Sequence, residues 1–391
     1  MIKIEEIKVT EVTGGTNYKE LSAIVDGSHV WFRFPNWVTV AARAEIFLPL
    51  ALAEAMVRAE DVVIDALPIS QKLAHSLPEI ANIFCSWNSD DNHPIGFKAY
   101  TDTTLVSTDS VICCFSGGID SSFSFSQHAA EITDLLVVMG FDESAAGEQW
   151  QQLVSRLQKF ADHHEKRLIS VETNIRQVIE ARKLSWGACH GNVLAAIGIA
   201  LQARKFIIPS SYTYTDLFPW GSHPLLDPLW SSEATTIIHD GVGYSRTQKT
   251  EQLLRHPYLL NGLQVCWKHF EKNCGTCSKC VRTSLALHMM KATSTNLPDY
   301  TGLKSLLVLK PGSLAGIPFV DDLIRLAKRT NHLDIAGRLI HNRDRFLFKY
   351  HLIESIRALL GNHGRWLSRR LAKKTWHKDR TKIESSRVTL D

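Results

Sequence analysis

The chain reads as an α/β protein built on a parallel, doubly wound sheet, with an N-terminal α+β domain and a helical C-terminal extension. Three observations predict this. Strand-like and helix-like segments alternate with short links from residue 108 to 295, the arrangement that covers both faces of a parallel sheet with helices. Leu135-Leu136-Val137-Val138-Met139 is an unbroken apolar run, as expected of a strand buried on both faces. Ser110 to Phe115, apolar and β-prone, leads through Ser116-Gly117-Gly118 into the helix-like Phe123 to Ala130, so a tight turn carries the chain from strand to helix. The expected domains are residues 1–100, 101–295 and 296–391.

Residues 1–40 read as β. Ile2, Ile4 and Ile7 to Val9 alternate loosely, Gly14-Gly15-Thr16-Asn17 punctuates, and Asp26-Gly27 signals a hairpin between Leu21–Val25 and Val30–Phe34. Val40 to Arg58 is rich in Ala, Leu and Glu and reads as helix. Glu60 to Leu67 reads as a strand stopped by Pro68, and Ser70 to Ala81 as a helix. Trp31, Phe32, Phe34 and Trp37 fit either core packing or an aromatic ligand surface. Within the second domain, Thr133–Phe141, Arg167–Glu172 and Lys205–Pro209 read as strands, and Glu148–His164 and Ala188–Arg204 as helices. Beyond Thr295, Gly302–Val308 is a strand or a helix, and Phe319–Arg329, Asp334–Asn342 and Phe346–Leu360 are amphipathic helices. The tail 361–391 is rich in Lys and Arg; it suits an acidic partner, RNA, a membrane surface or simply a solvated helix.

Composition bounds the function. A net charge of +4 over 391 residues is mild and by itself implies no nucleic-acid partner. No signal-peptide core follows Met1, and the longest apolar runs are too short to span a bilayer. A soluble cytoplasmic enzyme is expected, with a homodimer allowed. Of eight cysteines, Cys274, Cys277 and Cys280 crowd together and Cys266 lies within reach. Four thiolates in a reducing compartment point to a closed structural zinc site, with an iron–sulfur cluster as the chemical alternative.

The Ser116–Ser122 stretch has the makings of a phosphate cradle. Glycines let the backbone approach an anion, and the first N–H groups of the following helix lack intrahelical partners. Ser116, Ser121 and Ser122 add hydroxyls, and Asp120 can hold Mg²⁺. No Gly-Lys-Ser/Thr follows, so this is not a Walker A loop.

Ser116-Gly117-Gly118-Ile119-Asp120-Ser121 after a strand resembles the PP-loop of the ATP pyrophosphatase superfamily. Cys266, Cys274-Gly275-Thr276-Cys277-Ser278-Lys279-Cys280 and the following Arg282, preceded by Lys249-Thr250-Glu251, narrow the likeness to 7-cyano-7-deazaguanine synthase. The resemblance covers about residues 108–290. It implies an adenine nucleotide α-hydrolase-like fold, bound ATP and Mg²⁺, a zinc ion, and cleavage of ATP between its α and β phosphates with transfer of AMP to a substrate oxygen. Gly117, Gly118 and the cradle serines would then hold phosphate, with Lys249 as the matching cation and Arg246 as a second. Phe141-Asp142 and Thr173-Asn174, each just past a strand, would suit adenine and ribose. The acceptor would be a carboxyl or amide group of a small molecule or macromolecule, and ammonia or an amine would then displace the attached AMP.

The synthase's substrate-holding segment is not reproduced. Tyr212 to Trp230 takes its place, so Ser210, Tyr212, Asp216, His223, Asp227 and Trp230 are the candidate substrate residues, joined by His190 as a proton carrier or a structural histidine. Arg282 either reaches phosphate or caps a helix. Cys189 is either a nucleophile or a small buried residue. Two rival roles remain: an RNA-thiolating enzyme, which needs a reactive cysteine and an RNA module, and a nucleotide-binding component without turnover.

Overall fold

The computed structural model describes residues 1–13, 17–141, 147–356 and 359. The Gly14-Gly15-Thr16 turn, Asp142, the end of the helix expected to reach Leu360 and the basic tail 361–391 lie outside the described residues.

Ten strands form one sheet. They are β1 (Ile2–Val12), β2 (Tyr18–Val25), β3 (Ser28–Pro35), β4 (Val62–Ser70), β5 (Phe97–Asp102), β6 (Val111–Cys114), β7 (Asp134–Met139), β8 (Arg167–Thr173), β9 (Lys205–Pro209) and β10 (Thr236–Asp240). Their spatial order is β10-β9-β6-β7-β8-β3-β2-β1-β4-β5. Among the described residues the helices include α1 (Leu48–Arg58), α2 (Gln71–Trp87), α3 (Ile119–His128), α4 (Glu148–His163), α5 (Ile175–Ala181), α6 (Trp186–Ala200), α7 (Arg246–Leu253), α8 (Pro257–Asn261), α9 (Ser278–Met289) and α10 (Ile317–Arg329), with a last one over 333–356.

The five strands β8-β7-β6-β9-β10 are all parallel. From β6 the chain winds to β7 and β8 on one side, then returns to β9 and β10 on the other. The carboxyl ends of β6 and β9 therefore diverge into a crevice, the place where open α/β sheets bind ligands. The expected α/β class with a large, mostly parallel sheet is what the chain adopts.

The N-terminal segment extends this sheet. Strand β3 pairs antiparallel with β8, Phe32 opposite Thr173 and Arg33 opposite Glu172. Strands β3, β2 and β1 form an antiparallel meander, and β1, β4 and β5 run parallel. Phe32, Phe34 and Phe47 are buried in one apolar cluster with Ala196, Ile197 and Ala200 of α6, and Ala41 N donates to Ala200 O at 2.9 Å. Phe32 and Phe34 are thus core, whereas Trp37 is exposed. Residues Met1–Thr301 form one compact unit and Gly302–Asp391 another.

Several boundaries differ from the sequence reading. Residues 40–43 are not helical, and Ala44–Phe47 is a 3-10 turn ahead of α1. Strand β4 runs through Pro68, which sits where its pairing with β5 shifts register between Ile64 and Ile69; prolines enter sheets at such irregularities. Strands β5 and β10 were not expected. Helix α2 continues to Trp87, its start capped by Ser70 Oγ, which accepts from Leu73 N at 3.0 Å.

Within the second unit, Leu303–Leu309 is 3-10 helix. Residues 333–356 form one helix rather than two. Arg343 lies mid-helix and donates to Asp321 at 2.8 Å, and Asn342 Nδ2 donates to Leu306 O at 2.9 Å. The polar stretch that suggested a break is a paired helix face.

The middle of α6 is pressed against the segment that builds one cavity wall. A Cβ at Gly191 would stand 2.3 Å from Gly221 O and 2.4 Å from Ser222 Cα. Backbone cannot yield there as a flexible side chain would. Gly191→Ala should lower stability by about 2 kcal/mol or more, read as a lower urea midpoint at unchanged slope.

Candidate active site and metal centre

The sequence Val111-Ile112-Cys113-Cys114 makes a short buried strand, and the turn after it reverses the chain into α3. Gly117 takes φ +77°, open to glycine with little strain. Gly118 stands at the N-cap of α3 with no side chain capping the helix. The leading N–H groups of a helix lack intrahelical acceptors, which is what an anion site needs, and no side chain caps those of α3. Ser121 Oγ braces the turn: it accepts from Ser116 N at 3.3 Å and donates to Gly118 O at 3.2 Å. Ser122 N donates to Gly118 O at 2.9 Å, continuing the helix.

Asp120, in the first turn of α3, meets the cations of α7. Arg246 forms a salt bridge to Asp120 Oδ2, and Lys249 Nζ lies 3.4 Å from Asp120 Oδ1. Lys249 Nζ also donates to Ser210 O at 2.5 Å, and its side chain is 1% exposed. Ser211 Oγ donates to Asp120 Oδ2 at 3.3 Å. Burial alone would push the Asp120 carboxyl up, but the charges of Arg246, Lys249 and Arg282 outweigh it and hold it below its ordinary value. Burial pushes the Lys249 ammonium down against the pull of Asp120. This cluster joins α3, α7 and the end of β9, and the charge of Arg282 in α9 acts on it.

The crevice opens into a cavity of 380 Å³. Ser116, Asp120 and Ser121 line it from the turn, and Phe141, Trp150 and Leu153 supply an apolar wall. Opposite chemistry comes from Ser210, Tyr212, Phe218, Trp220, His223 and His239. His190, set between Trp186 and Trp220, also lines it; burial lowers its pKa, and its Nδ1 donates to Gly187 O at 3.1 Å. A second cavity of 740 Å³, lined from α1, α2, residues 88–93 and the start of α6, shares Phe218 and Trp220 with the first.

Not every expected residue faces the cavity. Thr173 Oγ1 donates to Trp31 O at 2.8 Å, and Asn174 accepts from Trp31 N and donates to His29 O, each at 2.9 Å. Their polar groups hold β3 to β8 rather than a ribose. Asp216 accepts from Thr213 Oγ1 at 2.6 Å and lies off the cavity. Trp230 is fully buried in the core. Cys189 is buried, and burial pushes its thiol up to about 12, so it is not a thiolate at neutral pH.

The sequence reading missed His239. Its Nδ1 must donate to Asp227 Oδ2, 2.7 Å away, because a carboxylate only accepts. Asp227 is fully buried and also accepts from Ser222 Oγ at 2.8 Å and His223 N at 3.1 Å. Asp227 therefore stands behind the cavity as the brace of a histidine that lines it. The signal was hidden because Thr236–Asp240 was not recognised as a strand, so nothing placed His239 at a carboxyl end.

The four cysteines come together. The sulfurs of Cys266, Cys274, Cys277 and Cys280 all lie within 4.8 Å of one another. Cys274–Cys280 and Cys277–Cys266 are each 3.9 Å apart, close to the ~3.8 Å edge that a tetrahedron with 2.3 Å metal–sulfur bonds requires. Backbone N–H groups of Thr276 and Cys277 donate to Cys274 Sγ at 3.4 and 3.3 Å, favouring thiolate. The donor set fits a metal such as zinc. It would tie the 263–277 loop to the start of α9, the helix that carries Arg282. Asn273 supports the loop from inside, its Oδ1 accepting from Val265 N at 2.9 Å and Cys266 N at 3.0 Å.

Two outcomes follow from this geometry. The purified protein should carry about one metal ion per chain; Cys277→Ser or strong chelation should remove it and raise hydrogen exchange across 263–282, read by metal analysis and mass spectrometry. For Asp120, the folded-state pKa lies below the unfolded one. Its contribution is complete above the ordinary carboxylate value of about 4 and is lost as pH falls through the folded value. Asp120→Asn should cost about 3 kcal/mol at neutral pH, and that gap should close in urea titrations carried below pH ~4; a pH-independent gap would contradict the ion cluster.

Among the described residues, no helix is long and apolar enough to cross a membrane. No protein-family model, curated protein or solved structure matches the chain.

Proposed function

We propose that the protein is an ATP-dependent adenylating enzyme that releases AMP and pyrophosphate, activating a carboxylate or amide oxygen for attack by ammonia or an amine. One observation carries this reading: the Ser116–Ser122 turn lies at the divergence of β6 and β9, with Lys249 and Arg246 drawn to its Asp120 and a cavity beside it. Resemblance of the turn, the Lys249 segment and the cysteine cluster to 7-cyano-7-deazaguanine synthase agrees with it.

The residues divide the labour. N–H groups at the start of α3 and the Ser116 and Ser121 hydroxyls bind the phosphates. Asp120 would hold Mg²⁺, which neutralises phosphate charge when bound. Lys249 and Arg246 then face charge that grows on the phosphates as the α–β bond breaks. Phe141, Trp150 and Leu153 suit the adenine ring and keep water from the adenylate. His239, braced by Asp227, takes a proton from the attacking amine at its free ring nitrogen. The Tyr212–Ser222 wall receives the acceptor. The cysteine site is a closed zinc centre that fixes α9 and with it Arg282. An RNA-thiolating role would need a reactive thiol here, and buried Cys189 does not offer one.

Incubation with ATP, Mg²⁺ and a panel of carboxylic acids and amines should yield AMP and pyrophosphate in equal amounts. Lys249→Met and His239→Gln should each slow turnover by about a hundredfold or more, His239→Gln sparing nucleotide affinity. ADP and phosphate as products would overturn the proposal; tight ATP binding with no turnover across the panel would favour a binding component.

A further inference from the structure

Arg156 is a half-buried cation that no group among the described residues matches. It lies on α4, one turn beyond Leu153 and two beyond Trp150, both of which line the cavity. Its Nε and Nη2 are buried and make no hydrogen bond. Among the described residues no carboxylate acts on it, and burial lowers its pKa to about 10. Lys249 and Arg246 are in the contrary position, tied to Asp120. Burying a guanidinium without a counter-charge is costly, so such a group is expected to have an anion in its working state.

Its position says which anion. A Cβ on Gly117 would stand 3.5 Å from Arg156 Nη1 and 3.7 Å from Nη2. The guanidinium therefore lies against the Ser-Gly-Gly turn itself, on the side that glycine leaves open. We propose that Arg156 is a polyphosphate ligand: it grips the β and γ phosphates of the nucleotide, and pyrophosphate after cleavage, from α4 while Lys249 and Arg246 act from α7. This rests on the adenylation reading and extends it with a cation that none of the resembled motifs contains. A planar fork matches two phosphate oxygens where a lysine would supply a point charge. Contact with the leaving group and none with the α-phosphate makes the residue selective for the triphosphate over AMP.

The test is calorimetric binding of ATP, pyrophosphate and AMP to the full chain and to Arg156→Met. Affinity for ATP and pyrophosphate should fall about tenfold to a hundredfold, with AMP affinity unchanged. The free variant should melt no lower than the wild type, because a buried unpaired charge has gone, and should gain less from pyrophosphate. Arg156→Lys, which keeps the charge, should fall between the two and reports the loss if the methionine variant does not fold. Unchanged pyrophosphate affinity, or equal weakening of AMP, would overturn the role of Arg156 alone. Failure of the wild type to bind either ATP or pyrophosphate would overturn this role and the adenylation reading together.

Discussion

The buried ion cluster around Asp120 is the constraint on which the site depends. One carboxylate in the first turn of α3 holds Arg246 and Lys249 of α7, and Lys249 in turn is fixed to the end of β9 through Ser210 O. Remove the carboxylate and two cations face each other in a desolvated crevice. Remove the cations and a buried carboxylate is left with little but Ser211 Oγ. The cluster therefore locks the relative positions of the β6 turn, the β9 end and α7 before any ligand arrives. Preorganisation of this kind lets charge be met by charge without rearranging the protein.

The cysteine site acts at one remove. Its donors belong to the 263–277 loop and the start of α9, and the charge of Arg282, just past Cys280, contributes to holding Asp120 ionised. Gln264 N also donates to Gly117 O at 2.8 Å, so the same loop braces the turn directly. A metal there would stiffen both connections. None of these four cysteines lines the cavity, which suits a structural centre rather than a part in its chemistry.

The parallel half of the sheet was legible because its strands are buried on both faces and read as continuous apolar runs; Lys205–Pro209 has the same limits in sequence and structure. The Ser-Gly-Gly turn and the cysteine spacing were legible because few other chemistries need those residues in that order. Other features depend on tertiary contacts that spacing does not report. Strand β10 carries His239 and Asp240 in its second half, so its apolar signal is only two residues long, Ile237-Ile238. Thr173 and Asn174 sit at a strand end as a ligand-binding pair would, yet the neighbour there is β3, and no sequence pattern places β3 beside β8. Arg156 carries no motif, and only the packing of α4 against the turn singles it out.

The N-terminal segment gains its meaning from that same β3–β8 pairing. Because the sheet continues across it, α1 and α2 pack beside α6 and enclose the 740 Å³ cavity on their side of Phe218 and Trp220. The two rings are then the shared wall between a chamber beside the Ser-Gly-Gly turn and one built in good part from the first hundred residues. His190, beside Trp220, and Gly187, whose Cβ position lies 3.3 Å from the Trp220 ring, show how tightly α6 holds that wall. The segment from Tyr212 to Ser222 is thus fixed from both sides: by α6 through Gly191 and Gly221, and by Asp227 through Ser222 Oγ. Its departure from the resembled motif is a differently built surface, held on both sides and set across the cavity from the Ser-Gly-Gly turn.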